Sequence, residues 1–237
     1  MRHKEVSLAL KLFDCGAVKI GGEHRLRVHK YHPELPPSPI YLNLRTPENP
    51  KPGPLTKQLL AEIGGQLLKR TRDMGLSFEV VRGIPNAGKP IAEALVIAHN
   101  QPIFEAIRQQ TAWIRKKEGR FPRLRGTHTF PAPIWIPDQK DLGPGKEMLL
   151  VDDVIGAATT KELEIAKWQR REVIIAGIAV VIDREEGGRD KIQHNYSIPV
   201  VSLFQLSWLL DVWLSAKRIS RAQRRAVLEF QELVQRL

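Results

Sequence analysis

The stretch MLLVDDVIGAATTKELEIA, residues 148–166, decides how this chain is expected to fold. Its first four residues are apolar and predict a buried strand, Met148–Val151, that ends in two adjacent acids, Asp152 and Asp153. A loop of small and hydroxyl residues follows, and the pattern after it predicts a helix over Thr160–Arg170. Strand, small-residue loop and helix in this order bring carboxylates and free backbone N–H groups together at one edge of a sheet.

Strands and helices alternate along the rest of the chain, which predicts an α/β fold with a mostly parallel sheet. Three loops follow predicted strands and are therefore expected at the ligand-binding edge of that sheet: Gly83–Lys89, Asp152–Thr160 and Asp183–Gly188. The predicted strands are 40–44, 78–84, 112–115, 148–151, 173–182 and 200–203, and the predicted helices are 1–20, 55–72, 90–99, 160–170 and 206–237.

Composition limits the function classes. The 237 residues provide enough chain for a sizeable core, and no apolar run approaches the roughly 20 residues that a membrane span needs. The N-terminus lacks the apolar core of a signal peptide, and the single Cys15 excludes an internal disulfide framework, so we expect a cytoplasmic protein. The net charge of +11 favours anionic partners, which are nucleic acid, acidic membranes or phosphorylated small molecules; the alternative is a solvated surface without such a partner.

One motif suggests a nucleoside triphosphatase. GIPNAGKP, residues 83–90, nearly fits the phosphate loop G-x-x-x-x-G-K-[ST]. Pro90, however, stands where a Ser or Thr hydroxyl would bind the metal ion, and proline has neither a hydroxyl nor an N–H. The dinucleotide fingerprint G-x-G-x-x-G is absent as well, so neither nucleotide motif explains the chain.

The segment LLVDDVIGAATTK resembles the ribosyl-phosphate-binding segment of type I phosphoribosyltransferases. More narrowly, the chain resembles orotate phosphoribosyltransferases over nearly its full length. The further matching segments, in chain order, are LFDCGAVKIGGE (12–23), SPIYLNLR (38–45), VVRGIPNAGKPIA (80–92), IRKKEG (114–119), VIDREEGGRDKI (181–192) and LSWLLDVWLSAKRISRAQRRAVLEF (206–230).

The resemblance implies a single phosphoribosyltransferase domain over residues 1–237 that forms a homodimer. It would comprise a small hood (about 1–54), a core of parallel sheet flanked by helices (55–205) and C-terminal helices (206–237). The implied enzyme, a pentosyltransferase, moves ribose 5-phosphate from phosphoribosyl pyrophosphate to orotate in pyrimidine biosynthesis. It uses Mg²⁺ that is held mainly through the substrate, with no direct protein ligand.

The acids and the loop suit a ribosyl phosphate. Carboxylates accept hydrogen bonds from ribose hydroxyls, so Asp152 and Asp153 are expected at the ribose. Their negative charge also favours the cationic sugar centre that forms as pyrophosphate leaves, so Asp153 is expected to take part in catalysis as well. Backbone N–H groups at the helix start would cradle the 5-phosphate. This cradle comprises Gly156, Ala157, Ala158, Thr159 and Thr160. The alternative is a solvated acidic turn.

The resemblance also implies residues for the base and for the leaving group. The residues expected at the base are Arg184, Tyr41 and Arg27. For Arg184 the alternative is a surface salt bridge with Glu185 or Glu186, and for Tyr41 it is packing in the core. The pyrophosphate-side loop comprises Asn86, Ala87, Gly88 and Lys89, and the catalytic-loop cations are Arg115, Lys116 and Lys117, which would otherwise be a solvated basic loop.

Departures from the family pattern leave a second function class open. Ala158 replaces a glycine of the phosphate loop, which costs about 1 kcal/mol or more if that position needs a positive φ. Asn86 replaces the usual threonine, and the His-Gly or Tyr-Gly pair usual in this loop is missing from RKKEGRFPRLRG, residues 115–126. The chain is therefore either an enzyme, for orotate or another base, or a non-catalytic regulator that binds phosphoribosyl pyrophosphate. Nucleic-acid binding by such a regulator has only the net charge in its favour.

Overall fold

The computed structural model describes residues 2–101, 134, 136 and 142–237. The helices and strands of these residues, in chain order, are α1 (Arg2–Asp14), β1 (Val18–His24), a 3₁₀ turn (Arg27–Lys30), β2 (Ser38–Leu42), α2 (Lys57–Asp73), β3 (Val80–Gly83), α3 (88–101), β4 (Glu147–Ile155), α4 (Thr159–Gln169), β5 (Ile174–Asp183), α5 (Gly188–Tyr196), β6 (Val200–Gln205), α6 (Leu206–Ser215) and α7 (Arg221–Gln235).

The four strands β3 to β6 form one parallel sheet in the order β3-β4-β5-β6. The register pairs Gly83 with Val151, Ile155 with Asp183, and Asp183 with Gln205, so the carboxyl ends of the strands meet at one edge. Along β4, successive side chains enter apolar clusters on opposite faces of the sheet. This two-sided burial explains why the strand is a continuous apolar run, and it confirms the predicted parallel sheet.

A two-stranded antiparallel hairpin, β1 with β2, lies apart from the main sheet and falls within residues 1–54, the segment that we call the hood. The N-terminal helix and the C-terminal helices pack together. The indole of Trp213 in α6 is fully buried, and its Nε1 donates to the carbonyl oxygen of Ala9 at 3.0 Å. Residues from both chain ends therefore share the largest of the three apolar clusters formed by the described residues.

Several expected bounds were wrong. β4 does not end before the acids but continues through them to Ile155, because β5 still pairs with Asp152 and Val154 there. The helix expected over 1–20 ends at Asp14, and residues 18–20 already belong to β1. The tail is broken into α6 and α7, since Ser220 caps a new helix start. The strand expected over 112–115 lies outside the described residues.

Among the residues described, no helix combines the length and the apolar character needed to cross a membrane.

Candidate functional site

Asp152 lies in a buried ion pair. Its Oδ2 accepts a hydrogen bond from Lys161 Nζ at 2.5 Å, and both side chains are only 7% exposed. Lys161 also donates to the carbonyl oxygen of Val154, and Asp152 Oδ1 accepts from the N–H of Asp153 at 2.9 Å. Both oxygens of Asp152 are therefore engaged within the chain, and its charge is balanced by a lysine of α4.

Sequence reasoning missed Lys161, although a signal was present. Lys161, Ile165 and Trp168 are the buried residues of α4, and their spacing puts all three on one face of the helix. A lysine on the apolar face of a helix that directly follows two acids indicates a buried partner for one of them.

Asp153 is the more open of the two acids. It is half-buried, and its Oδ1 accepts from the N–H of Val154 at 2.9 Å. Burial, followed by the charge of Asp152, raises the pKa of Asp153 to about 7, against the opposing charges of Lys161 and Arg45. Arg45 follows the hood strand β2, so the hood brings a positive charge towards this acid.

The loop after the acids has the form of an anion cradle. Ala158 occupies the N-cap position of α4 with a φ of 65°, in the left-handed region, and no side chain caps this helix. The expected cost of alanine here, about 1 kcal/mol or more, therefore applies. Because the first N–H groups of a helix have no partner within it, those of Thr159 and Thr160 point outward from α4.

Close packing explains the glycines around this cradle. A Cβ on Gly156 would collide with the carboxylate of Glu186, and one on Gly188 would lie 2.7 Å from the backbone nitrogen of Ala158. The loop and the start of α5 are consequently held together.

The residue expected to hold the base, Arg184, is buried and already paired. Its Nε donates to Glu186 Oε1 at 2.7 Å, and its Nη2 lies 3.5 Å from the hydroxyl of Ser38 in β2. The salt bridge considered as an alternative therefore forms, but in the interior rather than on the surface, since the two side chains are 6% and 4% exposed. Glu186 thus fixes the direction of a guanidinium at the end of β5.

The loop around Arg184 is further held by the elements that follow it. Glu185 accepts from the N–H of Ser207 at 2.7 Å, which caps the start of α6. The backbone carbonyls of Arg184 and Glu185 accept hydrogen bonds from Gln231 and Gln235 of α7. The backbone of this strand end is therefore fixed on two sides.

The pyrophosphate-side loop lies against the acids. A Cβ on Gly88 would collide with the backbone carbonyl oxygen of Val151 and come 3.2 Å from Asp152 Oδ1, so only glycine allows the loop to approach β4 this closely. Ala87 is buried, whereas Asn86 and Lys89 are exposed, and the carbonyl of Asn86 accepts from Asn49 Nδ2 at 3.1 Å. The loop is thus joined to the segment that follows β2.

Two hood residues expected at the base have different surroundings. Tyr41 is half-buried; its hydroxyl accepts from Arg45 Nη1 at 3.1 Å, and its ring lies 5.6 Å from that of His24. Arg27 instead reaches the phosphate loop, where its Nη1 donates to Thr160 Oγ1 at 2.9 Å. Arg115, Lys116 and Lys117 lie outside the described residues.

The chain is similar to orotate phosphoribosyltransferases. It is 29% identical over 133 residues to the enzyme named so in Pyrococcus abyssi, covering 55% of this chain and 62% of that one. It is 27% identical over 179 residues to that of Thiobacillus denitrificans, covering 73% and 77%. Uridine 5'-monophosphate synthase of Bos taurus is 24% identical over 184 residues, which are 77% of this chain but only 33% of the bovine protein. No family model matches the chain.

Solved structures agree on the fold. UMP synthase of Leishmania donovani superposes with a TM-score of 0.64 and 22% identity, covering 96% of this chain and 42% of that one. Orotate phosphoribosyltransferase of Francisella tularensis superposes with a TM-score of 0.62 and 16% identity, covering 96% of both chains. The predicted type I phosphoribosyltransferase fold, with its parallel sheet flanked by helices, is thereby confirmed.

Proposed function

We propose that this protein is an orotate phosphoribosyltransferase, a pentosyltransferase that converts orotate and phosphoribosyl pyrophosphate into orotidine 5'-phosphate and pyrophosphate. One observation carries the proposal: a half-buried carboxylate, Asp153, lies near the carboxyl end of β4, separated by two residues from a loop and helix start that suit a phosphate. The similarity to enzymes of that name supports the choice of substrates.

Asp153 would accept the hydrogen bonds of the ribose hydroxyls. Its negative charge would also stabilise the sugar as positive charge develops at the carbon that loses pyrophosphate. Asp152, already paired with Lys161, would serve mainly to hold this strand end, with its carboxylate facing Gly88. The N–H groups at the start of α4, with the hydroxyls of Thr159 and Thr160, would hold the 5-phosphate.

Arg184 would bind the carboxylate or the ring carbonyls of orotate, with Tyr41 beside the base. A guanidinium held by Glu186 loses little freedom on binding, because its direction is already fixed. The loop cations Arg115, Lys116 and Lys117 would neutralise the departing pyrophosphate. They would do so across the interface of a homodimer, as the family resemblance implies, in a cytoplasmic enzyme.

Asp152 and Asp153 suit a Mg²⁺ ion that is held by the substrate rather than by the protein. No group of three or more potential ligand side chains occurs in the described parts of the chain, and Asp152 is taken by Lys161. Asp153 would approach such an ion through water, while pyrophosphate oxygens would supply the direct ligands. Bound in this way, the ion would supply positive charge to the leaving group.

The test is calorimetric titration of phosphoribosyl pyrophosphate with Mg²⁺, followed by orotate, uracil, hypoxanthine and adenine, with product detection by chromatography. Orotidine 5'-phosphate formed by the wild type, and lost in Asp153→Asn but not in the control Asp73→Asn, is the expected result. Turnover of another base would replace orotate in the proposal. Binding without turnover of any base would instead identify a regulator, and unchanged kinetics of Asp153→Asn would remove that residue from the site.

A further inference from the structure

A cation from outside the sheet reaches the phosphate loop. Arg27 donates from Nη1 to Thr160 Oγ1 at 2.9 Å, and Thr160 lies in the first turn of α4. The Arg27 side chain is otherwise exposed, and no carboxylate in the described residues pairs with it. An arginine that rests on a neutral hydroxyl keeps most of its donors for an anion.

The segment that carries Arg27 is fixed, although the side chain itself is exposed. Residues Leu26, Val28 and Leu35 pack with Phe230 and Val234 of α7 in a small core of their own. The buried ring of His29 donates from Nε2 to the carbonyl oxygen of Pro36 at 3.0 Å and accepts from the N–H of Leu26 at 2.8 Å. The 3₁₀ turn is thereby held against α7, and from there the Arg27 side chain reaches the start of α4.

The cradle, residues 156–160, contains no cationic side chain of its own. Gly156, Ala157 and Ala158 offer no side-chain donors, and a Cβ on Gly156 would touch Glu186, whose charge is already balanced by Arg184. A sugar phosphate carries close to two negative charges near neutral pH, as phosphorylated side chains do. The planar guanidinium can donate two parallel hydrogen bonds to phosphate oxygens.

We propose that Arg27 binds the 5-phosphate of the ribosyl substrate and closes the cradle from the hood side. The inference rests on the proposed function in one respect, that the ligand is a ribose 5-phosphate. It gives Arg27 a different role from the base contact expected from the sequence. Arg27 stays hydrogen-bonded to Thr160 through Nη1, and its remaining donors face the phosphate.

The test uses calorimetric titration of the full chain with ribose 5-phosphate, inorganic phosphate and ribose at low ionic strength. The variants are Arg27→Gln, Arg27→Lys, Thr160→Val and the double variant, with Arg25→Gln as the control on the same exposed segment. Because charge-assisted hydrogen bonds are strong, Arg27→Gln should weaken ribose 5-phosphate binding by at least about tenfold. Arg27→Lys should retain part of the affinity, whereas Arg25→Gln and binding of ribose alone should not change.

The double variant separates direct from indirect action. If Arg27 contacts the phosphate, Arg27→Gln weakens binding in the Thr160→Val background too. If it only orients the threonine hydroxyl, the loss disappears in that background and the proposal is overturned. A variant that binds ribose 5-phosphate as the wild type does, but binds orotate more weakly, overturns it as well.

Failure of the proposed function gives a different pattern. A wild type that makes no orotidine 5'-phosphate, yet binds ribose 5-phosphate through Arg27, refutes the activity and supports this inference. A wild type that turns over orotate while Arg27→Gln leaves phosphate affinity unchanged refutes the inference alone. A wild type that binds neither ribose 5-phosphate nor inorganic phosphate overturns both.

Discussion

The ion pair between Lys161 and Asp152 allows the most direct test of how the site is built. Both side chains are 7% exposed, with Nζ and Oδ2 2.5 Å apart, so water cannot replace the lost partner in Lys161→Met. The change leaves the carboxylate of Asp152 and the carbonyl of Val154 buried without their donor. Removal of one member of a buried pair costs about 3–5 kcal/mol, and we expect a loss in that range in urea unfolding followed by circular dichroism.

A double-mutant cycle with Asp152→Asn isolates the pair. Since the asparagine carries no charge to leave unbalanced, the double variant should be more stable than Lys161→Met, with a coupling of about 1–3 kcal/mol. The control is Lys191→Met, which breaks an exposed ion pair between Lys191 of α5 and Glu162 of α4, the helix that also carries Lys161. This variant should lose less than about 1 kcal/mol of unfolding free energy. A loss below about 1 kcal/mol in Lys161→Met, or a cycle without coupling, would refute the buried pair.

Further predictions concern titration, packing and base recognition. Because burial raises the pKa of Asp153 from 3.8 to about 7, the native state holds a proton that the unfolded chain has lost, so the free energy of unfolding should fall between about pH 4 and pH 7. Its slope should be up to about 1.4 kcal/mol per pH unit from this residue, visible as the difference between wild type and Asp153→Asn in urea unfolding. A Cβ on Gly64 would lie 2.5 Å from the carbonyl carbon of Ala94, whereas one on Gly65 would meet nothing within 4 Å. Gly64→Ala should therefore cost about 1–3 kcal/mol and Gly65→Ala should gain about 0.5–1 kcal/mol, and equal effects in thermal unfolding would contradict this packing of α2 on α3. Arg184→Ala, combined with Glu186→Gln so that no buried charge is left alone, should weaken orotate binding far more than ribose 5-phosphate binding in calorimetry; an equal loss of both would remove Arg184 from the base.

The parallel sheet could be predicted because its signal is strong and local. Residues 148–151 and 173–182 are apolar without interruption, since both faces of these strands are covered. The hairpin strand β1 was missed for the opposite reason: Gly21, Gly22 and charged residues hide its alternation, and its pairing with β2 spans an intervening segment. The periodicity of residues within one short stretch of sequence does not show which distant strand that stretch will pair with.

The same distinction separates the site residues that could be predicted from those that could not. Some site residues directly follow predicted strands: the two acids, the loop of small residues and Arg184. Because the strands are parallel, chain order alone brings these residues to one edge of the sheet. Lys161, Glu186 and Arg45 act on those residues through space. Charged side chains are usually solvated, so no sequence pattern gives a reason to place Glu186 in the interior, and only the position of Lys161 on the apolar face of α4 indicates its burial.

The C-terminal helix shows how far such through-space effects reach. On α7, Phe230 and Val234 are one turn apart, as are Gln231 and Gln235. The apolar pair holds the segment that carries Arg27, while the two amides hold the carbonyls of Arg184 and Glu185. One rigid helix thus fixes both the cation beside the phosphate loop and the backbone of the residue expected at the base. The distance between the two is therefore set by residues that are more than 40 positions away from either in the chain and that touch no expected substrate atom.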